Sequence, residues 1–140
     1  MKSLFLALVF TLAAGSAAAQ SLATVTATFD TTDNDKDHDT YLDVQLVTNR
    51  GKVLAEKMGI GGHWNNNSSN TVTLDVKNDI DKKDLKAAIV RLTIHPNGND
   101  KWAFNYHVQI AWTDQTTSDG AWNGKTLTQD SASTSDSFAP

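Results

Sequence analysis

The chain contains no cysteine. That excludes a disulfide scaffold, a thiolate zinc site and a thiol nucleophile, and leaves stability to an ordinary apolar core. Basic residues are in deficit, 12 against 16 acidic ones, for a formal net charge of −4. No clustered basic face stands out, and phosphate binding depends on one, so a nucleic-acid partner is excluded. Glutamate is almost missing: Glu56 stands alone beside fifteen aspartates. Asp competes with helical backbone and favours turns, which puts the carboxylates between strands. No apolar run reaches the ~20 residues of a spanning helix. Nor does the chain carry a G-x-S-x-G elbow, an H-E-x-x-H motif, a phosphate loop or a dinucleotide fingerprint, so the expectation is a protein that is not an enzyme.

The amino terminus reads as an export signal. Met1-Lys2 opens an apolar run, Leu4 to Leu12, that closes on Ala17-Ala18-Ala19. A charged start, a short apolar stretch and a small-residue cleavage pattern mark a secretory signal over residues 1–19 and a secreted or periplasmic location. No cysteine follows the cleavage pattern, so no lipid anchor is expected. Removal after Ala19 leaves 121 residues of net charge −5, enough for one domain. A chain of that size buries about two thirds of its surface.

The remainder reads as strands. Leu22 to Phe29 alternates Thr24, Thr26 and Thr28 with Val25, Ala27 and Phe29. Tyr41 to Thr48 puts Leu42, Val44 and Leu46 on one face, and the turn sequence Asn49-Arg50-Gly51-Lys52 predicts a hairpin with Val53 to Met58. Thr71 to Val76 turns Val72, Leu74 and Val76 inward, and Ile89 to His95 does the same with Val90, Leu92 and Ile94. The charged stretch Lys77 to Lys86 reads as a loop with room for one helical turn. The longest strand places Phe104, Tyr106, Val108, Ile110 and Trp112 on one face, and a short one follows around Trp122 to Thr128. This pattern predicts an all-β, antiparallel β-sandwich of about seven to eight strands over residues 20–128. Residues 129–140, mostly Ser, Thr and Asp, are expected to be a loose polar tail.

If successive strands run antiparallel, the connections after the first, third and fifth share one end. These are Asp30 to Thr40, Gly59 to Asn70 and Pro96 to Lys101, the loops richest in Asp, Asn and Gly. Lys82, Lys83 and Lys86 fall at the other end. Asp33, Asp35, Asp37 and Asp39 occupy every second position of the first loop. Calcium takes six to eight oxygens from carboxylates, amides and carbonyls, so calcium held by these residues with Asn97 and Asp100 is the metal expectation. The spacing is not that of an EF-hand, because His38 stands where its glycine belongs. The bland alternative is a solvated acidic turn.

Trp64, in a Gly- and Asn-rich loop beside His63, Asn65 and Asn66, admits two readings: an exposed ligand contact, or a lid folded back on the core. Trp102, Phe104, Tyr106 and Trp112 read as core, and Trp122 as a residue that either pins the last segment or meets a ligand. The histidines show no paired-ligand spacing, although His63 and His95 could meet at the loop end.

Asp37-His38-Asp39 followed by Tyr41-Leu42-Asp43-Val44-Gln45-Leu46 resembles the Gly-Thr-Asp turn and second strand of PLAT (lipoxygenase-homology) domains. Ser69 to Val76 is similar to their middle strand. The stretch Ile94 to Trp102, leading to Val108, resembles their strand, Asp/Asn turn and tryptophan. The similarity spans approximately residues 22–113, with Asp37 and His38 in place of the Gly and Thr. The resemblance implies an eight-stranded sandwich that docks to membranes or other proteins, in some members through calcium at the loop end. It implies Asp39 as the firmest ligand, then Asn97 and Asp100, with contributions from Asn65 to Asn67.

Three functions follow as expectations. The first is an exported, PLAT-like module that binds a lipid headgroup or a protein surface, with calcium at the loop end and Trp64 inserted at the interface. The second is a carbohydrate-binding module in which Trp64 and Trp122 stack on sugar rings. The third is a structural or inhibitory partner protein without metal.

Overall fold

Period-two alternation of apolar and polar residues resolves into strands because each strand of a two-layered sheet must bury one face and wet the other. The computed structural model describes residues 19–140, so the export signal falls, except for Ala19, outside the described residues. The strands are β1 (Leu22–Thr31), β2 (Tyr41–Thr48), β3 (Val53–Ile60), β4 (Ser69–Val76), β5 (Ala88–His95), β6 (Lys101–Trp112), β7 (Thr117–Thr128) and β8 (Ser133–Phe138). The only helical piece among the described residues is a single 3-10 turn, Lys82–Asp84, within the Lys77 to Lys86 connection. No helix among the described residues is long and apolar enough to cross a membrane.

All eight strands join one antiparallel sheet in the order β7-β6-β1-β4-β3-β2-β5-β8. The sheet folds on itself at β3–β4, where only Ala55↔Val76 and Glu56↔Asp75 pair. Two four-stranded leaves result, β7-β6-β1-β4 and β3-β2-β5-β8, and the fold is the expected antiparallel sandwich. Between them lies a single core that includes Val25, Ala27 and Phe29 from β1, Leu42, Val44 and Leu46 from β2, and Val90, Leu92 and Ile94 from β5. From β6 come Trp102, Phe104, Tyr106, Val108, Ile110 and Trp112, every second residue of the longest apolar face. The aromatic rings form a continuous row: Trp102 stacks on Phe104 with centroids 3.8 Å apart, and Tyr106 stacks on Trp122 at 4.7 Å. Edge and offset geometries of this kind add to the area term.

Three local expectations are corrected. In β4 Leu74 is buried and Val72 packs half-buried against the core, but Val76 is 42% exposed, because it sits on the fold line where the two leaves part. β7 begins at Thr117 rather than near Trp122, since β6 and β7 are joined by a tight turn in which Trp112 N donates to Thr116 O at 2.9 Å. Asp114 braces that turn by accepting from Thr116 N and Thr116 Oγ1. The loose tail is the largest departure. Ser133–Phe138 is a full strand, β8, in register with β5 from Thr93↔Ser133 to Ala88↔Phe138. Its polar side chains gave no core signal; its pairing satisfies the β5 backbone edge, which would otherwise be left open.

β7 and β8 end the two leaves and face each other across a seam joined by side chains. Lys125 Nζ donates to Asp136 Oδ1 at 2.5 Å, Tyr106 OH donates to Asp136 Oδ2 at 2.8 Å, and Trp122 meets Phe138 edge-on at 5.8 Å. Burial, then the hydrogen bond to Asp136, pushes the Tyr106 hydroxyl well above its ordinary range. The approach leaves no free space for a side chain at Gly120, whose added Cβ would lie 2.6 Å from the Trp122 ring and 2.8 Å from that of Phe138, so a neighbour would have to shift.

Candidate loop-end site

The connections after β1, β3 and β5 meet at one end of the sandwich, as strand parity requires. Main-chain hydrogen bonds tie the first two, Thr31 N to Ser68 O at 2.9 Å and Asn67 N to Thr31 O at 2.9 Å, and Ala103 N of β6 donates to Asn34 O at 3.0 Å. Lys36 and Trp64 exchange a pair, Lys36 N to Trp64 O at 3.1 Å and Trp64 N to Lys36 O at 3.0 Å. Beneath them Trp102 Nε1 donates to the buried Thr31 Oγ1 at 3.1 Å.

At the centre is Lys36, a lysine with 0% of its surface exposed. Its Nζ donates to Gly62 O at 2.6 Å and to Asp37 O at 3.3 Å, and lies 5.3 Å from the Trp64 ring centroid. Burial lowers the pKa of this amine; the nearby carboxylates of Asp100, Asp37 and Asp39 act in the opposite direction. A buried cation is tolerated only when hydrogen-bonded and electrostatically supported, and here two carbonyls, an aromatic face and three carboxylates offset part of the burial cost.

The acidic residues therefore divide into two groups. Asp39 accepts from Asn97 Nδ2 at 3.1 Å, and Asp100 accepts from the buried Thr40 Oγ1, so Asp39, Asn97 and Asp100 brace the loops around Lys36. Asp35 and Asp37 face outward with His63, and one ligand atom from each of the three lies within 4.8 Å of the others. His63 Nε2 donates to Asp35 Oδ2 at 2.5 Å, and this bond holds the Asp35 carboxyl below its usual range. Asp33, Asn65 and Asn66 are exposed on the same loops, outside that trio.

The aromatic candidates fall elsewhere. Trp64 is 7% exposed and packs on Phe29 and Trp102 with centroids 5.5 and 5.3 Å away, so the fold adopts the lid reading and the ligand-contact reading is withdrawn. Trp122 is half-buried on β7 between Tyr106 and Phe138, away from the loop end, and it pins β8. His63 and His95 do not meet: His95 Nε2 bonds Asp43 Oδ2 at 2.6 Å on the outer face of β2 and β5.

Two residues escaped the sequence reading. Lys36 is the one cation inside the alternating Asp run, and its position between Asp35 and Asp37 was the available signal. Tyr41 is the exposed aromatic near this end, 49% exposed, its ring 3.2 Å from where a Cβ would stand on Gly61. It opens β2 opposite His95. Compared with protein-family models and with curated proteins, the chain matches no family model and no curated protein.

Proposed function

We propose that this protein is an exported, non-enzymatic binding module of PLAT-like kind that meets its ligand with the loop end, bridged by a divalent cation on Asp35, Asp37 and His63. The observation that supports it is the outward trio itself, three ligating groups within 4.8 Å on loops locked from below by Lys36. Metal binding through His63 Nε2 would replace its hydrogen bond to Asp35 and release the ring proton, so affinity should rise with pH. Calcium fits the two carboxylates, with water and ligand oxygens filling its remaining positions; the imidazole suits zinc or manganese as well. The bridged group would be an anionic lipid headgroup or an acidic protein surface, because a bound cation offsets the two carboxylates locally and leaves coordination positions for the ligand's oxygens. Calorimetry with calcium, zinc and manganese is the test, with vesicle co-sedimentation in the presence and absence of chelator. Saturable heat that disappears in Asp35→Asn/Asp37→Asn, together with chelator-sensitive sedimentation, supports the reading. Absence of heat with every metal overturns it.

Carbohydrate binding is the second reading, and Tyr41 favours it over the tryptophans. Its exposed ring lies over the glycine backbone at Gly61, near the His95–Asp43 pair that could bond hydroxyls. Retardation of the protein in polysaccharide-containing gels, abolished in Tyr41→Ala, would favour this reading over the first.

A further inference from the structure

The opposite end of the sandwich carries a pocket of about 320 Å³ between the β2–β3 hairpin and residues 80–87. Its charge is unlike that of the rest of the chain. Arg50, Lys52 and Lys86 line it against a single carboxylate, Asp84, in a protein of net charge −4. Among the described residues the side chains of Arg50 and Lys52 make no hydrogen bond and no ion pair. The remaining lining includes apolar side chains, the buried Leu85 and the half-buried Ile80.

The hairpin bearing the two free cations is held in one shape. Thr48 Oγ1 accepts from Arg50 N at 3.3 Å and from Lys52 N at 3.1 Å, while Thr48 N donates to Lys52 O at 2.9 Å. Gly51 closes the turn at φ +81°, a left-handed conformation that glycine adopts without strain. Arg50 and Lys52 thus project from a fixed frame beside an apolar surface.

We propose that this pocket binds a small amphiphilic anion, a carboxylate on a short apolar stem. The Arg50 guanidinium matches a carboxylate with two parallel donors, and Lys52 and Lys86 add point charges. The half-buried Ile80 and Ala87 give the stem a surface to cover, with Leu85 beneath them. The volume, at the lower end of small-molecule pockets, admits one short chain rather than a two-chain lipid. The site is independent of the loop end and of any cation bound there.

Titration of the 15N-labelled protein with octanoate, acetate and octanol tests the assignment by amide shifts. Octanoate is expected to saturate with shifts confined to residues 49–52 and 80–87, leaving residues 35–39 unmoved. Acetate and octanol should each bind about tenfold more weakly, because each offers only half of the recognised chemistry. The exposed double variant Arg50→Gln/Lys52→Gln should fold with an unchanged spectrum elsewhere and lose about tenfold in octanoate affinity. Unsaturable or scattered shifts, equal response to acetate, or undiminished binding by the double variant would overturn it.

Discussion

Lys36 and Trp64 hold each other twice, through a pair of main-chain hydrogen bonds at 3.1 and 3.0 Å and through an ammonium 5.3 Å from the indole centroid. The relationship explains why an Asp-rich end can close over an apolar core. Trp64 caps Phe29 and Trp102, and Lys36 brings positive charge under Asp37, Asp39 and Asp100. A lysine here does part of what a bound ion would do. Its bonds to two carbonyls fix the loops, while Asp35 and Asp37 stay at the surface beside His63.

Replacing that ammonium should therefore weaken the whole end. In Lys36→Met the Gly62 carbonyl loses its 2.6 Å donor and Asp100, Asp37 and Asp39 lose an attractive charge. The expected loss is about 2–3 kcal/mol, the scale of a buried charge-assisted bond whose partners stay behind. Urea unfolding should show a lower midpoint with an unchanged slope. A variant as stable as the parent would mean that the amine is not structural.

Trp64→Ala tests the lid directly. Removing a tryptophan that is 7% exposed and packed on two aromatic rings should cost about 3–5 kcal/mol. The measurement is the thermal midpoint, read beside metal calorimetry. Stability should fall while the heat of metal binding, if it is carried by Asp35, Asp37 and His63, persists at temperatures where the variant stays folded. A fully stable variant that has lost ligand binding would restore the ligand-contact reading.

What was legible in the sequence followed from where each strand sits. Leu42, Val44 and Leu46 announced β2 because β3 and β5 flank it and leave one face to the core. The convergence of the three Asp- and Asn-rich loops was legible too, since strand parity alone fixes which connections share an end. β8 was hidden because Ser133 to Ser137 carry no apolar side chain, and the strand is held from outside itself, by β5's backbone and by Tyr106, Lys125 and Trp122. Lys36 was hidden for a related reason. A charged residue in a charged run looks solvated, and its burial comes from Trp64, a residue whose own loop has no periodicity to orient it.

Tyr106 makes the alkaline limb of the stability curve a readout of the seam. Its hydroxyl pKa is raised in the folded protein, so above the ordinary tyrosine range the unfolded chain loses a proton that the folded chain keeps. Stability from this group is complete below pH ~10 and declines as pH rises beyond it. Lys36, with its lowered pKa, contributes the opposite slope, so comparison with a variant is needed to separate them. Tyr106→Phe should be about 1–2 kcal/mol less stable at pH 7, having lost its bond to Asp136, and the gap should narrow above pH ~10. Urea denaturation of both proteins from pH 7 to 11 measures it; a gap constant with pH would show that the hydroxyl titrates alike in both states.

The same seam yields the most local prediction. Gly120→Ala places a methyl group 2.6 Å from the Trp122 ring and 2.8 Å from Phe138, distances at which something must shift. Trp122 is held by its stack on Tyr106, so the cheaper displacement is that of Phe138, near the end of a six-residue strand whose pairing is to β5 alone. Overpacking of this size costs about 1–3 kcal/mol. Because the strain falls on β8, hydrogen exchange should accelerate in the β5–β8 ladder while β1, β2 and β6 keep their protection. Exchange that rises uniformly across the sandwich would instead mean that β8 is an inseparable part of the global fold, and that its side-chain seam is no weaker than the hydrogen-bonded ladders on either side.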